Sequence, residues 1–112
     1  MKLDITQNGW ESVFKDYQIL ALNAVYDIEQ GATSKAVWDY INERREHHVS
    51  RASVINFLQW AEGEGFIGGV QRSGKGGYHG VFAPKHTKPE LSGLVIGRFL
   101  DFIEKNLSGE VQ

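Results

Sequence analysis

The first long amphipathic stretch of the chain runs from Val13 to Ile28, where apolar residues fall three and four positions apart. That spacing is typical of one face of a helix. Gly31 follows shortly after, and glycine commonly marks a helix end. The pattern predicts a helix over about residues 13–30, preceded by an arm or strand at residues 1–12.

Two further helices are predicted beyond Gly31, and the polar turn REHHV joins them. The first is SKAVWDYINERR, capped by Thr33 or Ser34, and the second begins at the cap Ser50 and runs to about residue 61. In the second of these helices four apolar residues share a narrow arc and are predicted to enter the core. They are Val54, Phe57, Leu58 and Ala61. A helix, a short turn and a capped helix form a helix-turn-helix.

Two short apolar runs follow the third helix, from Phe66 to Arg72 and from Tyr78 to Ala83. The glycine-rich residues 73–77 between them predict a β-hairpin with a flexible tip. The hairpin and the three helices before it predict a winged helix-turn-helix.

The last predicted helix spans about residues 89–107, and its apolar residues cover roughly half of its circumference. Packing on one neighbour requires a stripe only about 100° wide. The additional width predicts a second surface, most simply the same helix of a partner subunit. The residues assigned to this dimer contact are Leu91, Leu94, Val95, Phe99, Leu100, Phe102, Ile103 and Leu107.

The predicted fold class is therefore α+β, mainly α, with a three-helix core, a β-hairpin wing and a C-terminal dimerisation helix. The predicted organisation is an arm or strand at 1–12, a winged-helix DNA-binding domain at 13–86, and a dimerisation helix with its tail at 87–112. A chain of 112 residues is long enough to bury one core.

Charge is unevenly distributed along the chain, although the net charge is only −2. Residues 1–43 are net −4, residues 44–88 are net +4, and residues 89–112 are net −2. All four histidines also fall in the basic segment. The asymmetry predicts one positive face on an acidic body, as a nucleic-acid-binding protein requires.

The basic segment contains the residues that we expect to contact DNA phosphates, in the turn, at the start of the third helix and in the wing. They are Arg44, Arg45, His47, His48, Ser50, Arg72, Lys75 and His79. The predicted exposed arc of the third helix carries Ala52, Asn56, Gln59 and Gly63 and no acid. A neutral face of this kind suits the major groove, because phosphates flank it on both sides.

Other chemistries find little support in the sequence. The segment GVQRSGKG fits most of a phosphate-binding loop, but Gly76 replaces the hydroxyl residue and a strand follows instead of a helix. The histidines lack the spacing of a metal site. No paired carboxylates or activated nucleophile are evident, and there is no cysteine. We therefore expect no enzyme activity, cofactor or metal. No apolar run is long enough for a membrane span, and the N-terminus lacks a signal core, so we expect a cytoplasmic protein.

Three segments, ATSKAVWDYINER, SRASVINFLQWAEGEGFI and YHGVFAP, resemble the winged helix-turn-helix regulators of the penicillinase-repressor family, which are related to multiple-antibiotic-resistance regulators. The resemblance covers about residues 17–107. It implies a third helix that enters the major groove, in a dimer held by C-terminal helices. By position, it makes Ala52, Ser53, Asn56 and Gln59 base-facing. It implies no β-lactam-related role, because a counterpart of the family's protease-cleaved segment is lacking.

The leading hypothesis is a homodimeric, sequence-specific regulator, a repressor that binds double-stranded DNA. Asn56 would pair with an adenine edge, and Arg51 would reach a guanine or a phosphate, so Arg51 joins the base-facing set. A second hypothesis is a winged helix used only as a protein-interaction module in a larger assembly. A third, compatible with the first, is a sensor that binds a small-molecule effector at the dimer seam.

Overall fold

A computed structural model of the chain describes residues 9–74 and 77–107, and the side chains of residues 70–79 and 107 lie outside the description. The first described element is a short 3-10 helix, Gly9–Ser12, in a segment that the sequence predicted to be an arm or strand. The first α-helix, α1, is Asp16–Asp27. It begins later than predicted because the backbone N–H of Lys15 donates to the side-chain oxygen of Gln18, 2.9 Å away. Val13 and Phe14 are buried, but they precede the helix.

A two-residue strand, β1 (Ala32–Thr33), leads directly into α2 (Ser34–Arg44). Thr33 caps α2, with its hydroxyl oxygen accepting from the backbone N–H of Ala36 at 3.1 Å. The turn before β1 requires Gly31, whose φ is +88° and whose missing Cβ would lie 2.5 Å from a methyl carbon of Val81.

The third helix, α3 (Arg51–Gly63), is followed by the strands β2 (Ile67–Gly74) and β3 (Gly77–Pro84) and then by α4 (Lys88–Leu107). The strands form an antiparallel sheet in the order β1-β3-β2. β2 and β3 form the predicted hairpin, with Ile67 opposite Pro84. β1 adds a third strand that the sequence did not predict, and it pairs Ala32 with Phe82. The predicted α+β, mainly helical class is confirmed.

The core lies between the first three helices and the sheet, and α4 closes it. The four residues of α3 predicted to be buried are buried. Aromatic rings line the junction between α1, α3 and β2. Phe14 lies 5.9 Å from Phe57 and 6.5 Å from Trp60, and Trp60 lies 5.5 Å from Phe66, centroid to centroid. Edge-to-face contacts of this kind are favourable for aromatic pairs. They fix the back of α3 against the chain that precedes α1.

The apolar residues of α4 divide between two surfaces, which corrects part of the predicted dimer contact. Leu91 and Val95 are buried inside the chain's own core, so neither belongs to a subunit surface. Leu94 and Phe99 pack partly against the same core.

Four other apolar side chains of α4 are exposed. They are Ile96 (60% exposed), Leu100 (62%), Phe102 (59%) and Ile103 (38%). The side chain of Leu107 lies outside the description. Within residues 9–74 and 77–107, no helix combines the length and the apolar content needed to cross a membrane.

Candidate nucleic-acid interface

The turn between α2 and α3 is fixed by two hydrogen bonds that meet at Val49. The indole Nε1 of Trp38 donates to the carbonyl oxygen of Val49 at 2.8 Å. The backbone N–H of Val49 donates to the side-chain oxygen of Asn42 at 3.0 Å. Both partners lie on α2, so the residue just before the cap of α3 is held at two points. The turn therefore sets the angle at which α3 leaves the core.

Ser50 caps α3, as predicted, and its hydroxyl oxygen accepts from the backbone N–H of Ser53 at 3.1 Å. The same hydroxyl donates to the side-chain oxygen of Ser53 at 2.8 Å. Ser53 is half-buried and its hydroxyl is part of this cap, whereas the sequence placed it among the base-facing residues. The cap consequently uses one of the two lone pairs that Ser53 would offer to a ligand.

The remaining base-facing residues lie together on the outer side of α3. Arg51, Ala52, Asn56 and Gln59 are all exposed. Positions 52, 56 and 59 follow one another at spacings of four and three, so they share a face of the helix. The polar side chains of this set form no hydrogen bond with any part of the chain that the structure describes. Their amide and guanidinium groups are available to an external partner.

Arg44 is exposed at the end of α2 and is held over an aromatic ring. Its guanidinium carbon lies 3.5 Å from the ring centroid of Tyr40, and its Nη1 donates to the carbonyl oxygen of Tyr40 at 3.0 Å. The hydroxyl of Tyr40 in turn donates to Asp27 at 2.5 Å. Burial, together with this bond to the carboxylate, raises the pKa of Tyr40 above its usual value. Arg44 is thus positioned while its charge stays accessible.

Arg44 also lies 3.6 Å from a carboxylate oxygen of Glu43, but Arg45 is more buried and donates a hydrogen bond to its acid. Its Nε donates to a carboxylate oxygen of Asp16 at 3.2 Å, and only 22% of its side chain is exposed. Asp16 begins α1, so the pair bridges two distant parts of the chain. The sequence assigned Arg45 to phosphate contact, and in the structure its charge is already balanced by Asp16.

The three histidines whose side chains are described do not form a single cluster. His47 and His48 are exposed in the turn, beside Arg44 and Arg45. His86 is half-buried at the other end of the hairpin, where its Nε2 lies 2.9 Å from the carbonyl oxygen of Gly65. Among the described residues, no group of three or more acids and histidines is arranged to hold a metal ion.

Around its tip, at residues 70–74 and 77–79, the hairpin of β2 and β3 is described only by its backbone. The strand register pairs Arg72 with His79 across the hairpin. The side chains of both residues, and Lys75 entirely, lie outside the described residues. Their predicted phosphate contacts therefore remain predictions.

An acidic residue, Glu62, lies where α3 meets the hairpin, and the sequence pattern did not indicate it as part of the site. Glu62, on α3, rests against the backbone of β2 at Gly69, where an added Cβ would collide with the Glu62 carboxylate. Glu62 is three residues after Gln59, so it borders the outer face of α3. The predicted acid-free face consequently has a negative edge on the side of the hairpin. The i, i+3 spacing from Gln59 was the signal available in the sequence.

Two polar residues at the start of α1 also lie beside α3, and the sequence pattern did not indicate them. A cavity of about 350 Å³ separates α1 from α3 and brings Tyr17 and Gln18 beside Asn56. Gln18 already uses its side-chain oxygen to accept from Lys15. Its amide nitrogen is 3.5 Å from the hydroxyl of Tyr17, at the limit of a hydrogen bond. Two polar groups of α1 therefore adjoin the outer face of α3.

Comparisons with known proteins returned no match of any kind: no protein-family model, curated protein or solved structure is significantly similar to this chain.

Proposed function

We propose that the chain is a winged-helix transcriptional regulator that binds double-stranded DNA in a sequence-specific manner, as a cytoplasmic homodimeric repressor. The observation that carries this proposal is the outer face of α3. It presents Asn56 and Gln59 without an internal partner among the described residues, and the fixed turn at Val49 holds it in place. Amide side chains at such positions match the donor and acceptor pattern of adenine in the major groove.

Basic residues at the end of α2, in the turn and at the start of α3 support the same proposal. Arg51 and the turn histidines are exposed, and Arg44 is held in place by Tyr40. Contacts of these groups with phosphates would orient the helix, while the amides would distinguish bases. The wing would add further contacts to the DNA phosphates through Arg72 and Lys75.

The exposed stripe of α4 supports a dimer. Ile96, Leu100 and Ile103 are spaced by four and then three residues, the alternation found where helices pack along a seam. Gly93 and Gly97 lie beside this stripe, and a Cβ at either position would meet nothing within 4 Å in the described chain. Glycine inside a helix costs about 1 kcal/mol relative to alanine. Close approach of a second α4 would account for this cost. Such a two-fold dimer suits palindromic DNA.

The proposal is tested by fluorescence anisotropy with a mixed-sequence duplex at several salt concentrations from about 50 to 200 mM. Release of counterions predicts that log affinity falls linearly with log salt, by about 0.9 for each phosphate neutralised. We expect a slope of about −4 or steeper. Absence of binding at the lowest salt concentration would contradict DNA binding.

A protein-interaction module is the alternative, and two observations favour it. Arg45 is neutralised by Asp16, and Glu62 places negative charge at the edge of α3. Both reduce the positive potential that DNA would meet. A chain that fails to bind duplex but still self-associates through α4 would support this alternative.

A further inference from the structure

A groove of about 340 Å³ separates the 3-10 helix from α4. The residues that line it come from the 3-10 helix, from Val13 just after it, and from α4. They include Trp10, Ser12, Val13, Ser92, Ile96 and Leu100. Most of these side chains are apolar and none is charged. The groove lies away from the outer face of α3, and two residues of the exposed stripe of α4, Ile96 and Leu100, form part of its wall.

The groove is built around the indole of Trp10. Its Nε1 donates to the hydroxyl oxygen of Ser92 on α4 at 2.9 Å. Its carbonyl oxygen accepts from the backbone N–H groups of Val13 and Phe14, at 3.0 and 2.8 Å. The side chain and the backbone of one residue therefore tie α4 to the segment that precedes α1. The indole forms a flat wall of the groove.

Ser92 gives the groove a hydroxyl group that can donate a hydrogen bond. Its oxygen accepts from Trp10, and its own O–H donates to no group in the described chain. Ser12, the other hydroxyl of the groove, donates to the carbonyl oxygen of Gly9 at 2.6 Å. One donor thus remains for a ligand. Pockets of a few hundred Å³ with apolar walls and few polar groups are typical of small-molecule sites.

We infer that this groove binds a neutral, flat and mostly apolar molecule of about 15 non-hydrogen atoms, which carries a hydrogen-bond acceptor for Ser92. We further infer that this molecule is an effector that alters DNA binding, a role that rests on the proposed function. A charged ligand is disfavoured, because no lining residue would compensate the loss of its hydration.

The groove is connected to α3 through the contact between Trp10 and Phe14. Phe14 donates to the carbonyl oxygen of Trp10, and its ring contacts Phe57 and Trp60 on the inner side of α3. A ligand that displaces Trp10 would shift Phe14 and the aromatic contacts that seat α3. Such a ligand changes DNA affinity only if its own affinity differs between the original and the shifted arrangement of these aromatic side chains.

The test uses prodan, a neutral naphthalene dye with one ketone. Its emission moves to the blue in apolar surroundings and to the red when the ketone accepts a hydrogen bond. We expect saturable binding of one dye per chain. Ser92→Leu, which fills the groove, should weaken binding at least tenfold. Ser92→Ala leaves the space but removes the donor, so the emission of its bound dye should shift further to the blue.

Ile103→Ser is the matched control, because Ile103 lies on the exposed stripe of α4 but does not line the groove. It should leave dye binding unchanged. Absence of saturable binding in the unaltered chain would overturn the assignment, as would equal binding by Ser92→Leu. Loss of binding in Ile103→Ser alone would place the dye on the stripe. Binding that weakens as protein concentration rises would also overturn the assignment, because a second copy would then occupy the groove.

The effector role is tested separately, by measuring duplex affinity with saturating dye. We expect a change of at least threefold in the unaltered chain and none in Ser92→Leu. Dye binding without any change in duplex affinity would overturn the effector role and leave the binding site in place. A chain that binds dye but no duplex would instead contradict the proposed function.

Discussion

The indole of Trp38 donates to the carbonyl oxygen of Val49, so a side chain of α2 holds the backbone immediately before α3. A partly buried hydrogen bond of this kind contributes about 1 kcal/mol, and more is lost if the acceptor is left unpaired. The contact also fixes the direction of the helix that we propose to enter DNA.

Replacement of Trp38 by phenylalanine is therefore expected to lower the free energy of unfolding by about 1–3 kcal/mol, because the Val49 carbonyl loses its partner. Urea unfolding measures this change. Specific duplex affinity should fall together with stability. Tyr17→Phe is the control, since the hydroxyl of Tyr17 has only a 3.5 Å contact with Gln18. Similar losses in both variants would contradict the role of the Trp38 bond.

Asn56→Ala is expected to reduce discrimination between a selected operator and random duplex by about 1–3 kcal/mol, with a smaller effect on random duplex. The reason is that Asn56 is exposed on the outer face of α3, where its amide can pair with adenine. Anisotropy on both duplexes measures the difference. Asn106→Ala, an exposed asparagine on α4, should change neither affinity. Equal weakening on both duplexes would show that Asn56 does not distinguish bases.

Asp16→Asn is expected to strengthen binding to duplexes of any sequence and to steepen the salt slope by up to about one unit. The substitution removes the carboxylate that neutralises Arg45 and so makes the arginine available to a phosphate. Asp39→Asn is a closely matched control, because it removes the same charge from a surface pair with Lys35. If both variants gain affinity equally, net charge alone explains the effect.

Gly97→Ala is expected to have opposite effects on the helix and on the dimer. Alanine favours the helix by about 1 kcal/mol, and its Cβ meets nothing within 4 Å in the described chain. The same methyl group would separate two α4 helices packed at this face. Sedimentation should show weaker association, while thermal unfolding of the dilute monomer shifts upward. Gly63→Ala, also in open space but on α3, should leave association unchanged.

Acid is expected to weaken the start of α4. The backbone N–H of Thr87 donates to the Glu90 carboxylate at 3.0 Å, and this bond holds the pKa of Glu90 below its usual 4.5. A group with a lowered pKa stabilises the fold above its ordinary pKa, and that stabilisation is lost as pH falls through the lowered value. Glu90→Gln should therefore flatten the acid limb of the thermal midpoint against pH. An unchanged acid limb would show that Glu90 does not stabilise the start of α4.

The helices were predictable because their signals are local. Ser50 and Thr33 cap helices through bonds to residues three positions away, and the core positions of α3 repeat with the helical period. Strand β1 was not predictable in this way. Two residues carry no pattern of their own, and Ala32 becomes part of a strand only by pairing with Phe82.

The site was predictable only where exposure follows from periodicity. The outer face of α3 is such a case. Arg45 is not, because its partner Asp16 lies far away in the sequence and is brought close by packing. The dimer surface was partly misassigned for a related reason: the width of the apolar arc of α4 implies two neighbours, but it does not say which side faces the core. Leu91 and Val95 face inward.

Strand β3 is the last of the three strands in the described residues and the central one in the sheet. The helices can form from neighbouring residues, but β1 has no partner until the chain has continued through Phe82. Contacts between distant residues close slowly, since a long loop must be ordered first. Closure of the sheet is therefore expected as a late event in folding. Any chain shortened before β3 would present the backbone edges of β1 and β2 unpaired, which is a known cause of aggregation.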